Sequence, residues 1–182
     1  YDMEKGEGPE LAKKFGVRAY PTFVIVNPDG TIRHKLVGGG EGEKFIERVK
    51  ESFDDNKALG ALDAKYNSGN RDKAFLSQYA QVMVANYDPN AKAIVDELLK
   101  ISTDEEKLSE DYWFIFGNSE LSPKDSEAAK FLTDNRSKFN ETIGKEKVDS
   151  RLSEGLFREI LMVIAGRGQK TDVKRLDAIG RE

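Results

Sequence analysis

Cysteine is absent from the 182-residue sequence, and histidine occurs only once. Without cysteine, no residue of the chain can form a disulfide, act as a thiol nucleophile or supply a thiolate to a metal. The one histidine lacks the companions that a catalytic or metal-binding imidazole needs. We therefore assign no catalytic residue, no metal and no cofactor to this chain.

Long apolar runs and a strong excess of either charge are also missing. The longest apolar stretches, at 22–26 and 160–165, are far shorter than the roughly 18–20 residues needed to cross a bilayer. The net charge is -4 and is shared about equally by the two sides of residue 55, so neither part is a basic arm. We expect neither a membrane span nor a nucleic-acid partner.

The first 55 residues carry signals for a helix, two strands and a second helix. Residues 9–15 predict a short helix that ends at Gly16, and the β-branched and aromatic run 22–26 is typical of a strand buried on both faces. A Pro-Asp-Gly turn then leads to an alternating outer strand at 31–37. After Gly38, Gly39 and Gly40, apolar residues return at helical spacing and predict a closing amphipathic helix.

From about residue 56 the strand signals disappear and helical periodicity takes over. We place a seam near residues 54–56, which divides the chain into an α/β part at 1–55 and an all-helical part at 56–182. Helices are predicted at 57–66, 71–87, 90–101, 104–117, 124–142, 146–165 and 172–179. Short loops favour antiparallel neighbours, so we expect a helical bundle or an array of helical hairpins.

The order of elements around Tyr20, Pro21 and Thr22 resembles the second half of the thioredoxin family. In that family the matching motif contains a cis proline beside the active site, and the residue before it faces an incoming extended peptide. The resemblance therefore implies that Pro21 follows a cis bond and that Tyr20, Pro21 and Thr22 bind substrate. The alternative meaning of the Tyr-Pro pair is a plain surface turn.

The chain departs from the family because the Cys-x-x-Cys helix belongs to the first half of the fold, which is not present here. The resemblance thus implies a partial thioredoxin-like fold from a thiol–disulfide oxidoreductase, itself redox-inactive, that supplies the cis-proline side of the substrate groove. Protein or peptide thiols and disulfides would be the substrates of the parent protein. The alternative is a noncatalytic protein-binding module, with a thioredoxin-like scaffold and a helical region that binds a partner.

The residues before Pro9 resemble the end of the preceding family strand and its loop. We therefore expect half of the domain to be missing, which leaves a strand edge without its neighbour. That edge would pair with an upstream segment, with the helical region or with another copy of the chain, so self-association is expected.

A looser resemblance covers part of the helical region. Arg71-Asp72 before Phe75-Leu76, with the helix from Tyr79 to Tyr87, is similar to the C-terminal extensions of Bacteroidetes-type thioredoxin-like proteins. This resemblance implies a periplasmic location, although no signal peptide can be read in the chain.

Five other features have structural interpretations that outweigh functional ones. His34 is interpreted as a structural histidine of the outer strand, and the glycine triplet 38–40 as a joint instead of a phosphate loop. The aromatic run 112–116 is assigned to a core in preference to an interface anchor. The acidic run 104–106 suits a helix start, and the basic loop 166–170 suits a helix end.

Overall fold

The computed structural model describes residues 5–164, with side chains for residues 5–154. The described chain is a mixed α/β structure that is mostly helical and contains one two-stranded antiparallel sheet. The predicted combination of an α/β part and helices is therefore confirmed. The chain divides into two compact units, Tyr1–Thr103 and Asp104–Glu182.

The first unit contains both strands and five of the described helices. Its elements are α1 (Gly8–Lys14), β1 (Thr22–Val26), β2 (Ile32–Val37), α2 (Gly42–Lys50), a 3-10 turn (Glu51–Phe53), α3 (Leu59–Asn67), α4 (Lys73–Ala85) and α5 (Ala91–Ile101). The second unit is helical in its described part. Its elements are α6 (Asp104–Lys107), a 3-10 turn (Glu110–Tyr112), α7 (Trp113–Phe116), α8 (Glu127–Asp134), α9 (Arg136–Phe139), a π-helical turn (Asn140–Gly144) and α10 (Lys145–Ile164).

Helix α1 ends at the predicted glycine. Gly16 has a φ of +60°, and its N–H donates to the carbonyl of Lys13 at 3.2 Å. The N–H of Val17 reaches back to the carbonyl of Ala12 at 2.8 Å, which completes the pair of hydrogen bonds that closes many helix C-termini. Glycine is suited to this position because it adopts a positive φ without steric cost.

The hairpin turn follows from local side-chain chemistry. Gly30, with a φ of +82°, donates its N–H to the carbonyl of Asn27 at 2.9 Å. The Asp29 carboxylate accepts hydrogen bonds from the Oγ1 and the N–H of Thr31 at 2.6 and 2.9 Å. These bonds lower the pKa of Asp29 and hold the connection between the two strands.

The relative burial of the two strands is the reverse of the prediction. No residue of β1, predicted as the buried strand, is fully buried, whereas His34, Lys35 and Leu36 of the predicted outer strand are buried. The prediction was wrong because the pattern of residue types along a strand does not show which other segment of the chain covers it. Helix α3 packs against β2, while β1 has no second strand beside it among the described residues.

Helix α3 lies directly on β2. A Cβ atom added to Gly60 would come within 2.1 Å of the Ile32 carbonyl oxygen, so only glycine allows this approach. The N–H of Leu59, at the start of α3, donates to Nδ1 of His34 at 3.1 Å. The predicted seam at 54–56 therefore precedes a helix that packs on the sheet, and the boundary between the compact units lies at residues 103 and 104.

Helices α3, α4 and α5 form the apolar core of the first unit. Asp72 is the N-cap of α4, and its carboxylate accepts hydrogen bonds from the N–H groups of Ala74 and Phe75. Fully buried or nearly fully buried side chains of this core are Leu59, Leu62, Leu76, Ala80, Val95 and Leu98. The predicted helices at 57–66, 71–87 and 90–101 correspond to these three elements within a few residues.

The core of the second unit is aromatic. Phe116 and Phe139 are fully buried, with ring centroids 5.1 Å apart, and Phe131 packs against both rings. Tyr112 and Phe116 are buried and Trp113 is partly buried, so the predicted core role of the run 112–116 is confirmed.

Two long helices predicted for this unit are broken into shorter ones. Ser109 donates its hydroxyl to the carbonyl of Glu106 and interrupts 104–117, and Asn135 donates its side-chain amide to the carbonyl of Phe131 between α8 and α9. Gly144, with a φ of +99°, is the last residue of the π-helical turn, and α10 begins at Lys145. The helix predicted at 172–179 and the basic loop 166–170 lie outside the described residues.

Within residues 5–164, no helix has both the length and the apolar character needed to cross a membrane.

Candidate peptide-binding edge

The three residues predicted to bind substrate form a continuous stretch that enters β1. Tyr20 is 66% exposed and Pro21 is exposed, while Thr22 is half-buried. The Thr22 hydroxyl donates to the Ala19 carbonyl at 2.6 Å and closes the loop. The peptide bond between Tyr20 and Pro21 is cis.

Among the described residues, β1 pairs with β2 only, which leaves an open strand edge next to this loop. Antiparallel pairs alternate between residues that exchange backbone hydrogen bonds and residues that do not. The N–H of Gly38 donates to the Pro21 carbonyl at 2.8 Å, and the register pairs Phe23 with Leu36 and Ile25 with His34. By this alternation, the N–H and carbonyl groups of Thr22 and Val24 point away from β2, toward the open edge.

Strand β1 itself carries exposed apolar side chains. Phe23 and Val26 are 41% and 47% exposed, although both belong to a strand. The ring of Phe23 meets Phe45 of α2 edge to face, at a centroid distance of 4.7 Å, which covers one side of it. Further exposed apolar side chains of the same α/β segment are Ile46 and Phe53. The edge thus offers backbone hydrogen-bonding groups next to apolar surface.

On the β2 side of the hairpin, two arginine side chains contact backbone carbonyls. Arg48 of α2 donates to the Val37 carbonyl at 2.7 Å and to the Gly39 carbonyl at 3.2 Å. Arg33 donates to the Ser52 carbonyl and forms an ion pair with Asp55 at 2.6 Å. Arg48 thus occupies the Val37 carbonyl at the end of β2, and α3 lies against the carbonyls of Ile32 and Arg33, so β1 carries the more accessible edge.

His34 is buried in the junction between β2 and α3, where it is 3% exposed. Because Nδ1 accepts the Leu59 N–H, the neutral ring carries its proton on Nε2, which has no hydrogen-bond partner in the described structure. Burial lowers the pKa of His34, with Glu51 acting in the opposite direction and Arg48 and Arg33 lowering it further. The histidine therefore serves the packing of α3 and stands apart from the open edge of β1.

A polar network joins α3, α4 and α5, and sequence reasoning did not find it. Tyr66 donates its hydroxyl to Glu97 at 2.5 Å, while Arg71 stacks over the Tyr66 ring and pairs with Glu97 at 3.1 Å. Tyr79 donates to Asp63 at 2.7 Å. Burial raises the pKa of Asp63 and of Tyr79, and the bond to Glu97 raises that of Tyr66.

The partners in this network are 5 to 31 positions apart in the sequence, so no local spacing marks them. Each of these polar groups has a partner inside the network. The network therefore holds the helices together and is not expected to be a reactive site. Within the described residues, no group of three or more His, Asp or Glu side chains is arranged to hold a metal ion.

The chemistry available at the edge of β1 is therefore hydrogen bonding and apolar contact. Comparison of the chain with protein-family models, with curated proteins and with solved structures finds no match. The resemblance to the thioredoxin family stays a prediction that depends on residues 9–53.

Proposed function

We propose that the first unit binds an extended polypeptide along the open edge of β1, as the C-terminal half of a thioredoxin-like domain. In this proposal Tyr20, Pro21 and Thr22 form the end of the groove, and the parent protein is a thiol–disulfide oxidoreductase whose cysteines lie elsewhere. The chain itself contributes binding and no redox step, because it has no cysteine.

The observation that carries the proposal is the pairing of β1 on one side only, among the described residues. Unpaired backbone groups at a strand edge add an incoming strand through main-chain hydrogen bonds, and neighbouring side chains set its specificity. The exposed Tyr20 and Phe23 supply apolar contact at this position. The order of helix, loop, hairpin and helix supports the thioredoxin-like interpretation of the same segment.

A substitution that removes one outward-facing N–H tests the proposal. Val24→Pro deletes the donor at the open edge, and proline is tolerated in edge strands where the missing N–H faces solvent. Val24→Ala is the matched control, because it also shortens this half-buried side chain but keeps the N–H. Binding is measured by fluorescence anisotropy with a labelled, reduced and carboxymethylated polypeptide, which stays unfolded.

We expect wild type and Val24→Ala to bind within about two-fold of each other and Val24→Pro to bind about ten-fold more weakly, the effect of one lost hydrogen bond. Circular dichroism checks that all three proteins are folded. Equal binding by the two variants, or no binding by wild type, would contradict the proposal. Light scattering of the same proteins measures whether the edge also pairs with a second copy of the chain.

The competing function is a noncatalytic binding module with a thioredoxin-like scaffold. Both functions predict partner binding at the exposed side chains of the α/β segment, so binding alone does not distinguish them. The coding sequence upstream of Tyr1 does. A Cys-x-x-Cys encoded before Tyr1 would support the oxidoreductase. A complete first half without this motif would support the binding module.

A further inference from the structure

A cavity of about 490 Å³ opens in the second unit between α7 and α10. It is largely open to solvent, so it suits a molecule that is held at one end and not enclosed on all sides. One wall is formed by Trp113 and Gly117, and the other by residues of α10 from Glu146 to Glu154. All of these residues belong to the second unit.

Arg151 is the most buried charged residue that lines this cavity. It is 9% exposed, whereas Glu146, Lys147, Ser150 and Glu154 are exposed at the rim. Its Nε donates to the Phe116 carbonyl at 3.0 Å, and its Nη2 donates to the carbonyl and hydroxyl of Ser122 at 2.6 and 3.0 Å. These bonds fix the plane of the guanidinium against the protein.

Among residues 5–154, Arg151 has no counter-ion in direct contact, and Glu154 is the carboxylate whose charge acts on it. Its hydrogen-bond acceptors are neutral, and no carboxylate of residues 5–154 lies within ion-pair distance of it. The Nη1 group has no acceptor among the same residues. A buried, unpaired charge is costly, and a guanidinium with free donors is well suited to bind a carboxylate.

The wall opposite α10 is apolar and rigid. A Cβ atom on Gly117 would come within 2.9 Å of the Trp113 ring, so the indole lies directly on the glycine backbone. Phe139 packs near the same ring, with a centroid distance of 6.0 Å. The indole is thereby held in place and only partly buried, and it offers a flat surface to a bound molecule.

The charges around the cavity limit its ligand to one anionic group. Lys147 and Arg151 are balanced by Glu146 and Glu154. A nucleotide or another polyanion would meet both rim carboxylates, whereas a single carboxylate can reach Arg151 and leave an uncharged body beside Trp113.

We propose that this cavity binds a monocarboxylate, with the carboxylate on the guanidinium of Arg151 and an apolar body on the indole of Trp113. The ligand is either a free organic acid or the C-terminal end of a peptide. The proposal is independent of the function proposed for β1, because the cavity lies wholly in the other unit.

The test uses the fluorescence of Trp113, which is the only tryptophan of the sequence. The probes are 4-methylpentanoate and its neutral amide, a short peptide ending in leucine as acid and as amide, and inorganic phosphate. We expect saturable changes with an acid, at least ten-fold weaker effects with the matching amide, and none with phosphate. The two acids distinguish the free and the peptide-borne carboxylate.

Variants at exposed rim charges keep the test independent of folding. Lys147→Gln is expected to weaken acid binding about two- to five-fold, and Glu154→Gln to strengthen it by a similar factor, at low salt. Lys130→Gln and Glu127→Gln on α8 are matched controls outside the cavity. Arg151→Lys keeps the charge, but one ammonium group cannot hold the bonds to Phe116 and Ser122 and also present the free donors of Nη1, so affinity is expected to fall at least ten-fold.

The proposal is overturned if acid and amide act equally, if neither acid changes the emission at 10 mM, or if the rim variants shift affinity no more than the α8 controls. If Arg151→Lys fails to fold, the opposite shifts of Lys147→Gln and Glu154→Gln decide the outcome.

Discussion

His34 shows how one side chain connects the sheet to the helices. Its Nδ1 accepts the N–H of Leu59, which is among the first four N–H groups of α3 and has no partner within the helix. A protonated imidazole carries hydrogens on both nitrogens, so it cannot accept this bond. The junction between β2 and α3 therefore depends on a neutral histidine.

The free energy of unfolding should consequently depend on pH through His34. The pKa is lowered in the folded protein from 6.5, so the unfolded chain takes up the proton first as the pH falls. Stability is then present above pH 6.5 and is lost as the pH drops toward the lowered folded pKa, by at most about 1.4 kcal/mol per pH unit.

We expect His34→Asn to remove this dependence between pH 5.5 and 7. Asparagine can place its side-chain oxygen where Nδ1 lies and does not titrate. Urea unfolding of both proteins across this range gives the difference directly, and titration of Asp63 and other groups is common to both. Parallel curves for wild type and His34→Asn would show that His34 does not titrate in this way.

The interpretation of His34 as structural came from its lack of companions, which the sequence displays. Its complete burial did not follow from the sequence, because the covering atoms belong to α3, 25 positions away. The burial of Arg151 could not be predicted for the same reason, because its hydrogen-bond acceptors are 29 and 35 positions away.

At the scale of elements, the contact between α3 and β2 depends on Gly60. Replacing a helical glycine with alanine usually stabilises a helix by about 1 kcal/mol. At position 60 the added methyl group would overlap the Ile32 carbonyl oxygen at 2.1 Å. Either the helix or the strand must shift.

We expect Gly60→Ala to destabilise the protein by about 1–3 kcal/mol, in the range of overpacked cores. Gly42→Ala in the first turn of α2 is the matched control, because a Cβ there meets no atom within 4 Å. That variant should be neutral or stabilising by up to about 1 kcal/mol. Thermal and urea unfolding measure both, and equal stability of the two variants would show that α3 does not press on β2.

The helix end at Gly16 and the hairpin turn at Gly30 were predicted well. Each glycine donates its N–H to a carbonyl three positions before it, so the signal is local in the sequence. The breaks after Ser109 and Asn135 were missed because a serine or asparagine in a helical pattern bonds to the backbone in some contexts and points to solvent in others.

At the scale of the whole molecule, the absence of cysteine excludes thiol–disulfide exchange by residues of this chain. We expect the purified chain to leave the dithiothreitol-driven reduction of a protein disulfide at the rate seen in buffer, because no residue can form a mixed disulfide. Alkylation of the protein's thiols at timed intervals, followed by non-reducing gel electrophoresis, measures this rate at several chain concentrations, with the heat-unfolded chain as control. A rate that rises in proportion to folded chain would contradict the expectation.

The sequence by itself determined the excluded chemistry, the positions of most helices and the hairpin, since these depend on residue types and on contacts between near neighbours. The tertiary structure decided which strand is buried, where the compact units divide, and that Arg151 and Trp113 line one cavity. Those features arise when distant segments cover one another, and burial is a property of the covering atoms as much as of the covered ones.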